Sequence, residues 1–146
     1  MSIEDDVALL ERVPTLRLLG TTALRMLAIG SEQRDYASGD YLFNAGDDAD
    51  AGYIVQRGAF RVEDGGAEVI AGPGALIGEL ALIVAMRRPS SAVAIERSTV
   101  IRVARSLFQR VLESDPAAAR RLRDELATRT SQLASDIVMA GAKLSI

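Results

Sequence analysis

The chain has 146 residues, 49% hydrophobic and 25% charged, which supports one domain with a real core and excludes intrinsic disorder. It contains no histidine and no cysteine, which removes the commonest general base, the Ser-His-Asp triad, thiol nucleophiles, thiolate metal sites and disulfides; the chain reads as a non-enzyme. A net charge of −3 lacks the basic footprint of a nucleic-acid binder.

Ser2 ahead of Glu4, Asp5 and Asp6 predicts an N-capped helix with acids in its first turn, and these acidic residues are unlike a secretory signal. Val7, Leu9, Leu10 and Val13 form its apolar side, and Pro14 interrupts it. A second helical stretch from Leu16 to Ile29 restarts around Gly20-Thr21-Thr22, with an apolar face expected to pack on the sheet that follows. From Gln33 the period changes to short strands split by turn residues: Gln33–Tyr36, Tyr41–Asn44, Tyr53–Gln56, Ala59–Glu63 and Ala67–Ala71. This close, regular spacing predicts an antiparallel sandwich or barrel, with Asp64-Gly65-Gly66 as a hairpin turn. The acidic cluster Asp47, Asp48 and Asp50 lacks the spacing and closing glutamate of a calcium loop and reads as a solvated turn.

The informative stretch runs from Gly72 to Ala94, GPGALIGELALIVAMRRPSSAVA. Gly-Pro-Gly marks a turn, and a turn or two of helix is expected to start near Glu79. A helix start exposes unpaired N–H groups that favour a small anion, and Gly78 just ahead lets such a ligand approach closely. A guanidinium from Arg87-Arg88 can clamp the same anion, with Ser90 and Ser91 adding hydroxyls. Glu79 repels an anion but suits a neighbouring sugar hydroxyl as an acceptor. A negative group beside a hydroxyl describes a nucleotide.

Beyond this stretch, Ser91–Ile95 and Thr99–Val103 read as two more strands. Ser106 is expected to cap a helix through about Glu113, and Ser114-Asp115-Pro116 to restart it. The last helix is expected from Ala117 to about Ala140, with Leu122, Leu126, Leu133, Ile137, Ala140 and Leu144 inside an arc of about 60°. So narrow a seam suits either pairing of two chains or a groove on the chain's own sheet. No apolar run approaches the ~20 residues of a membrane helix, and the expected compartment is the cytoplasm, with no membrane and no nucleic acid as partner.

GELALIV followed by RRPSSA resembles the phosphate-binding cassette of cyclic nucleotide-binding domains, the effector modules of Crp/Fnr-type regulators, gated channels and kinase regulatory subunits. The glycine-punctuated segments Gly39–Asp47 and Gly52–Val62 agree with that family in spacing, and the resemblance covers about Leu19 to Leu112. It implies a mainly β fold with flanking helices: a jelly-roll-like antiparallel β-roll, a short phosphate-binding helix, N-terminal helices and a long C-terminal helix. It divides one domain, 1–146, into N-terminal helices 1–31, a roll 32–104 holding the cassette 72–94, and C-terminal helices 105–146. Counted from Glu79, the family's phosphate-binding arginine falls on Arg88 and its Thr/Ser on Ser91, while Arg87 stands as the alternative arginine.

The chain departs from the family at Ile77, for a usual Phe, and at Pro89, which has no N–H to give a phosphate. The resemblance implies a cyclic nucleotide as ligand, cAMP before cGMP on family frequency, and no other cofactor or metal. The N–H groups of Gly78, Leu80 and Ala81 with Arg88, Ser90 and Ser91 would hold the phosphate, Glu79 the ribose 2′-hydroxyl, and Ile70, Ala71 and Val93 the purine. Signalling through a repositioned C-terminal helix, a homodimer through that helix and an output protein partner would follow. With the sequence ending at Ile146, before any helix-turn-helix, the reading is of a stand-alone sensor or a regulatory fragment. A degenerate roll serving as a docking or dimerisation module is the competing expectation.

Overall fold

A computed structural model describes residues 2–64 and 66–128. At the N-terminus the Ser2 hydroxyl accepts from the Asp5 N–H and the Asp5 carboxylate accepts from the Ser2 N–H, a capping box that opens α1 (Ile3–Glu11). Pro14 opens the four-residue α2 (Pro14–Arg17), where its missing N–H costs nothing. Gly20, at φ 86°, turns the chain into α3 (Thr21–Gly30), so the restart expected there is present.

The strands are β1 (Glu32–Tyr36), β2 (Tyr41–Phe43), β3 (Asp48–Ala49), β4 (Ala51–Arg57), β5 (Phe60–Asp64), β6 (Ala67–Ala71), β7 (Leu76–Ile77), β8 (Met86–Arg87), β9 (Ala92–Ala94) and β10 (Ser98–Ala104). One sheet runs β1-β10-β4-β7 and the other β2-β9-β5-β6, while β3 pairs with β8. Every described pairing is antiparallel, and the whole is the mainly β roll with flanking helices that the sequence implied. β5 and β6 pair from Phe60 opposite Ala71 to Asp64 opposite Ala67, the register of the expected hairpin. Three two-residue strands, β3, β7 and β8, were not expected, because two residues cannot display an alternation.

Two cores result. Leu42, Tyr53, Val55, Phe60, Ile77 and Val100 fill the space between the sheets. Ile54, Ile101 and Val103 point the other way and pack with Leu10, Leu24 and Phe108 of the helices. The apolar side of the N-terminal helices is therefore spent on the sheet, as anticipated. β4 and β10 are buried on both faces, which explains their near-continuous apolar sequence.

The C-terminal elements differ from expectation in one detail. β10 runs directly into α4 (Arg105–Ser114), whose N-cap is Ala104 without a side-chain bond, so Ser106 lies within the first turn and is not the cap. Asp115 breaks the helix and its carboxylate accepts from the Ala118 N–H, starting a second helix that the structure describes over residues 116–128. There Leu122 is buried in the helical core and the partly buried Leu126 packs against it. Leu133, Ile137, Ala140 and Leu144 lie outside the described residues.

Phe60 is fully buried, with its ring edge-on to Tyr36 at 5.8 Å, whereas Val69 on the neighbouring strand is 48% exposed. Phe60→Ala is expected to cost about 3–5 kcal/mol in urea unfolding and Val69→Ala less than about 1 kcal/mol. Equal losses would contradict this assignment of the core.

Candidate functional site

The site is built by the segment leaving β6. The Gly72 carbonyl accepts from the Ala75 N–H to close a turn, β7 follows, and Gly78 takes a left-handed conformation at φ 79°. The short helix beyond it is a four-residue 3-10 turn, Glu79–Leu82. Its own closure uses the Ala81 N–H, which donates to the Gly78 carbonyl at 3.1 Å and is to that extent withdrawn from the phosphate role expected of it. A single turn has little dipole to offer, so the electrostatics rest on side chains.

The decisive side chain is Arg88. Strands β3 and β8 pair, and the Arg88 N–H continues the ladder to the Asp47 carbonyl at 2.7 Å while its own carbonyl accepts from Gly46. Extended backbone sends neighbouring side chains to opposite sides. Arg87 is exposed and donates to the Gly46 carbonyl, whereas Arg88 turns inward and is only 5% exposed. Between the two arginines that the sequence left open, Arg88 is the interior one.

Its guanidinium lies 4.2 Å from the Phe43 ring centre and 5.5 Å from that of Tyr53, and one terminal nitrogen donates to the Ala51 carbonyl at 2.8 Å. It also lies against Gly78, where a Cβ would come within 2.5 Å of Nη1. Glycine is favoured at position 78 by its φ, and a larger residue would in addition push the end of the Arg88 side chain aside. Arg88 makes no ion pair among the described residues, and its Nε has no hydrogen-bond partner. Desolvation by burial holds its pKa below the ordinary arginine value, though the side chain stays cationic. The cation rests on two rings, one carbonyl and the Tyr53 hydroxyl and feels the Asp50 carboxylate, but it makes no direct ion pair.

Beside Gly78 opens a cleft of about 340 Å³, at the small end of the range for ligand pockets. Of the residues the sequence nominated, Gly78, Ile70, Ala71 and Ser90 line it. The others do not. Glu79 turns its carboxylate to the Thr15 hydroxyl of α2, at 2.5 Å. Ser91 accepts from the Ala45 N–H at 2.8 Å, Leu80 is exposed, Ala81 is buried, and Val93 is a half-buried residue of β9 paired with Tyr41 and Arg61. Unforeseen were Phe43, Tyr53, Thr15 and the Ala51 carbonyl, which come from distant strands and α2 and carry no local signature. Glu63 and Val69 of the β5–β6 hairpin complete the cleft wall. No group of acidic residues capable of holding a metal occurs among the described residues, and Asp47 and Asp50 instead bond the Asn44 N–H and Arg102.

A family model described as a cyclic nucleotide-binding domain matches residues 33–115. The chain is 32% identical over 133 residues to an uncharacterized NTE family protein of Mycobacterium tuberculosis (strain H37Rv), a match covering 84% of this chain and 23% of the relative. It is 34% identical over 104 residues to the cyclic AMP receptor protein of Thermus thermophilus, covering 67% of this chain and 48% of the relative. The chain thus spans less than half the length of either. The N-terminal domain of a transcriptional regulator from Streptomyces coelicolor A3(2) superposes with a TM-score of 0.80 at 26% identity, over 88% of this chain and 94% of that one.

Because Arg88 makes no direct ion pair, replacing it by an apolar side chain of similar length removes a desolvated charge at the expense of two neutral partners, the Ala51 carbonyl and the Tyr53 hydroxyl. Arg88→Met is expected to unfold in denaturant at a free energy no more than about 1 kcal/mol below the parent. A loss of several kcal/mol would mean that the guanidinium is a keystone of the fold and not a reserved cation.

Proposed function

The chain belongs to the cyclic nucleotide-binding domain family, and on that premise we propose that it binds a cyclic nucleotide, cAMP before cGMP, in the cleft beside Gly78. The observation that carries this reading is Arg88, a nearly dry cation without a direct ion pair whose guanidinium lies against the glycine that lines the cleft. The cyclic phosphate supplies the missing charge once the Arg88 side chain turns from the Ala51 carbonyl toward the cleft, where the Ser90 hydroxyl adds a donor. A hydrogen bond to a charged group in such a setting contributes roughly 1.5–3 kcal/mol. Ile70 and Ala71 offer an apolar wall to the base, and Glu79, once turned to the cleft, accepts from the ribose 2′-hydroxyl. The name of the Thermus relative, a cyclic AMP receptor protein, supports adenine over guanine. Occupancy is then passed on by repositioning the helix that follows Asp115, and the protein reads as a regulatory binding module.

One set of observations favours a second reading. Arg88 is stacked on Phe43 and bonded to the Ala51 carbonyl, Ser91 is committed to Ala45, and Pro89 has no N–H. A cassette so knit to its own protein suits a docking module that takes no nucleotide.

The two readings part in a thermal-shift and calorimetric titration. The first predicts that cAMP or cGMP at a hundred times its Kd stabilises the protein by about 2.7 kcal/mol, that 5′-AMP does so far less, and that Arg88→Met weakens binding at least about tenfold. No response to either cyclic nucleotide would leave the docking module.

A further inference from the structure

We propose that Thr15 withholds Glu79 from the cleft, so that a nucleotide's sugar hydroxyl has to win the carboxylate from α2 and thereby signals to the helix beyond Asp115; this rests on the nucleotide-binding reading above. Thr15 is only 4% exposed, and its hydroxyl donates to Glu79 Oε1. The Glu79 side chain does not line the cleft, although its neighbour Gly78 does. The same N-terminal segment holds the cassette at a second point, where Arg12 donates to the Pro73 carbonyl at 3.4 Å and its guanidinium lies against Gly74. Residues 12–15 therefore brace both ends of the segment 73–79 that forms the rim of the cleft.

The other end of α2 meets the C-terminal helix. Arg121 donates from Nε to the Leu18 carbonyl at 2.7 Å and from Nη2 to the Leu19 carbonyl at 2.9 Å. Only Leu16 and Arg17 thus separate a residue whose hydroxyl is bonded to the cassette from the first of the two carbonyls bonded to the element that carries the output. When Glu79 rotates to a sugar hydroxyl, its hydrogen bond with Thr15 is broken inside a part-buried site, and breaking it is costly. A shift of α2 relieves the cost and disturbs the two carbonyls that fix Arg121. Coupling of this kind is reciprocal, so whatever frees Glu79 beforehand must tighten binding.

The test is calorimetry with 3′,5′-cAMP and with its 2′-deoxy analogue on the full chain, comparing the parent with Thr15→Val, which keeps the shape and removes the donor, and Thr15→Ser, which restores it. Thr15→Val is expected to bind cAMP roughly three- to tenfold more tightly and the 2′-deoxy analogue unchanged, with Thr15→Ser returning to the parent value. Amide exchange over residues 116–128 is expected to respond to cAMP in the parent and much less in Thr15→Val. Unchanged or weaker cAMP binding by a folded Thr15→Val protein overturns the proposal, as does an equal gain for the 2′-deoxy analogue. Where Thr15→Val does not fold, an exchange response in the parent that is the same for cAMP and its 2′-deoxy analogue overturns it. A parent protein that binds neither cyclic nucleotide overturns the nucleotide-binding reading itself, an outcome distinct from all of these.

Discussion

The structure turns on the placement of one cation inside a β-roll. Burying a guanidinium is expensive, and the protein offsets that cost with two aromatic faces, the Tyr53 hydroxyl, the Ala51 carbonyl and a glycine that lets the charge lie against backbone. These come from three separate parts of the chain, β2, β4 and the turn at Gly78. Phe43 is on β2 of one sheet and Tyr53 on β4 of the other, so the rings meet only because the sheets face one another. The small β3–β8 ladder then sets which of two adjacent arginines enters the gap. The fold is in this sense a device for holding Arg88 beside Gly78 without a charged partner.

The helices have a second task beyond covering the outer face of the sheet. Arg105 at the start of α4 gathers the carbonyls of Ala49, Ala81 and Val84 and so fixes the far end of the cassette turn. Arg12 and Thr15 fix its near end, and Arg121 joins α2 to the last described helix. The cassette is consequently tied to helical elements on both sides, which is what a binding module needs if occupancy is to be felt elsewhere.

What was legible in the sequence follows from the range of the interactions. The Ser2 capping box, the Gly20 restart and the β5–β6 hairpin are local, and their residues announce them. The motif from Gly78 to Ser91 was readable because its residues lie close along the chain. Its geometry was not. Arg88 points inward because of a ladder with Asp48-Ala49, too short to show an alternation, and it rests on rings from elsewhere. Glu79 was read as a ligand for sugar, yet its carboxylate meets Thr15, a contact across 64 positions that no spacing rule reveals. Ser106 misled because a good capping residue sits one step inside a helix that a strand feeds directly.

The most direct measurement is the Nε–H resonance of Arg88 in protein labelled with ¹⁵N at arginine, followed as cyclic nucleotide is added. A phosphate that supplies the missing partner moves this proton downfield and slows its exchange with water, while adenosine, which lacks the phosphate, leaves it in place. A resonance that stays fixed while the protein is saturated with nucleotide would show that the buried cation and the ligand never meet.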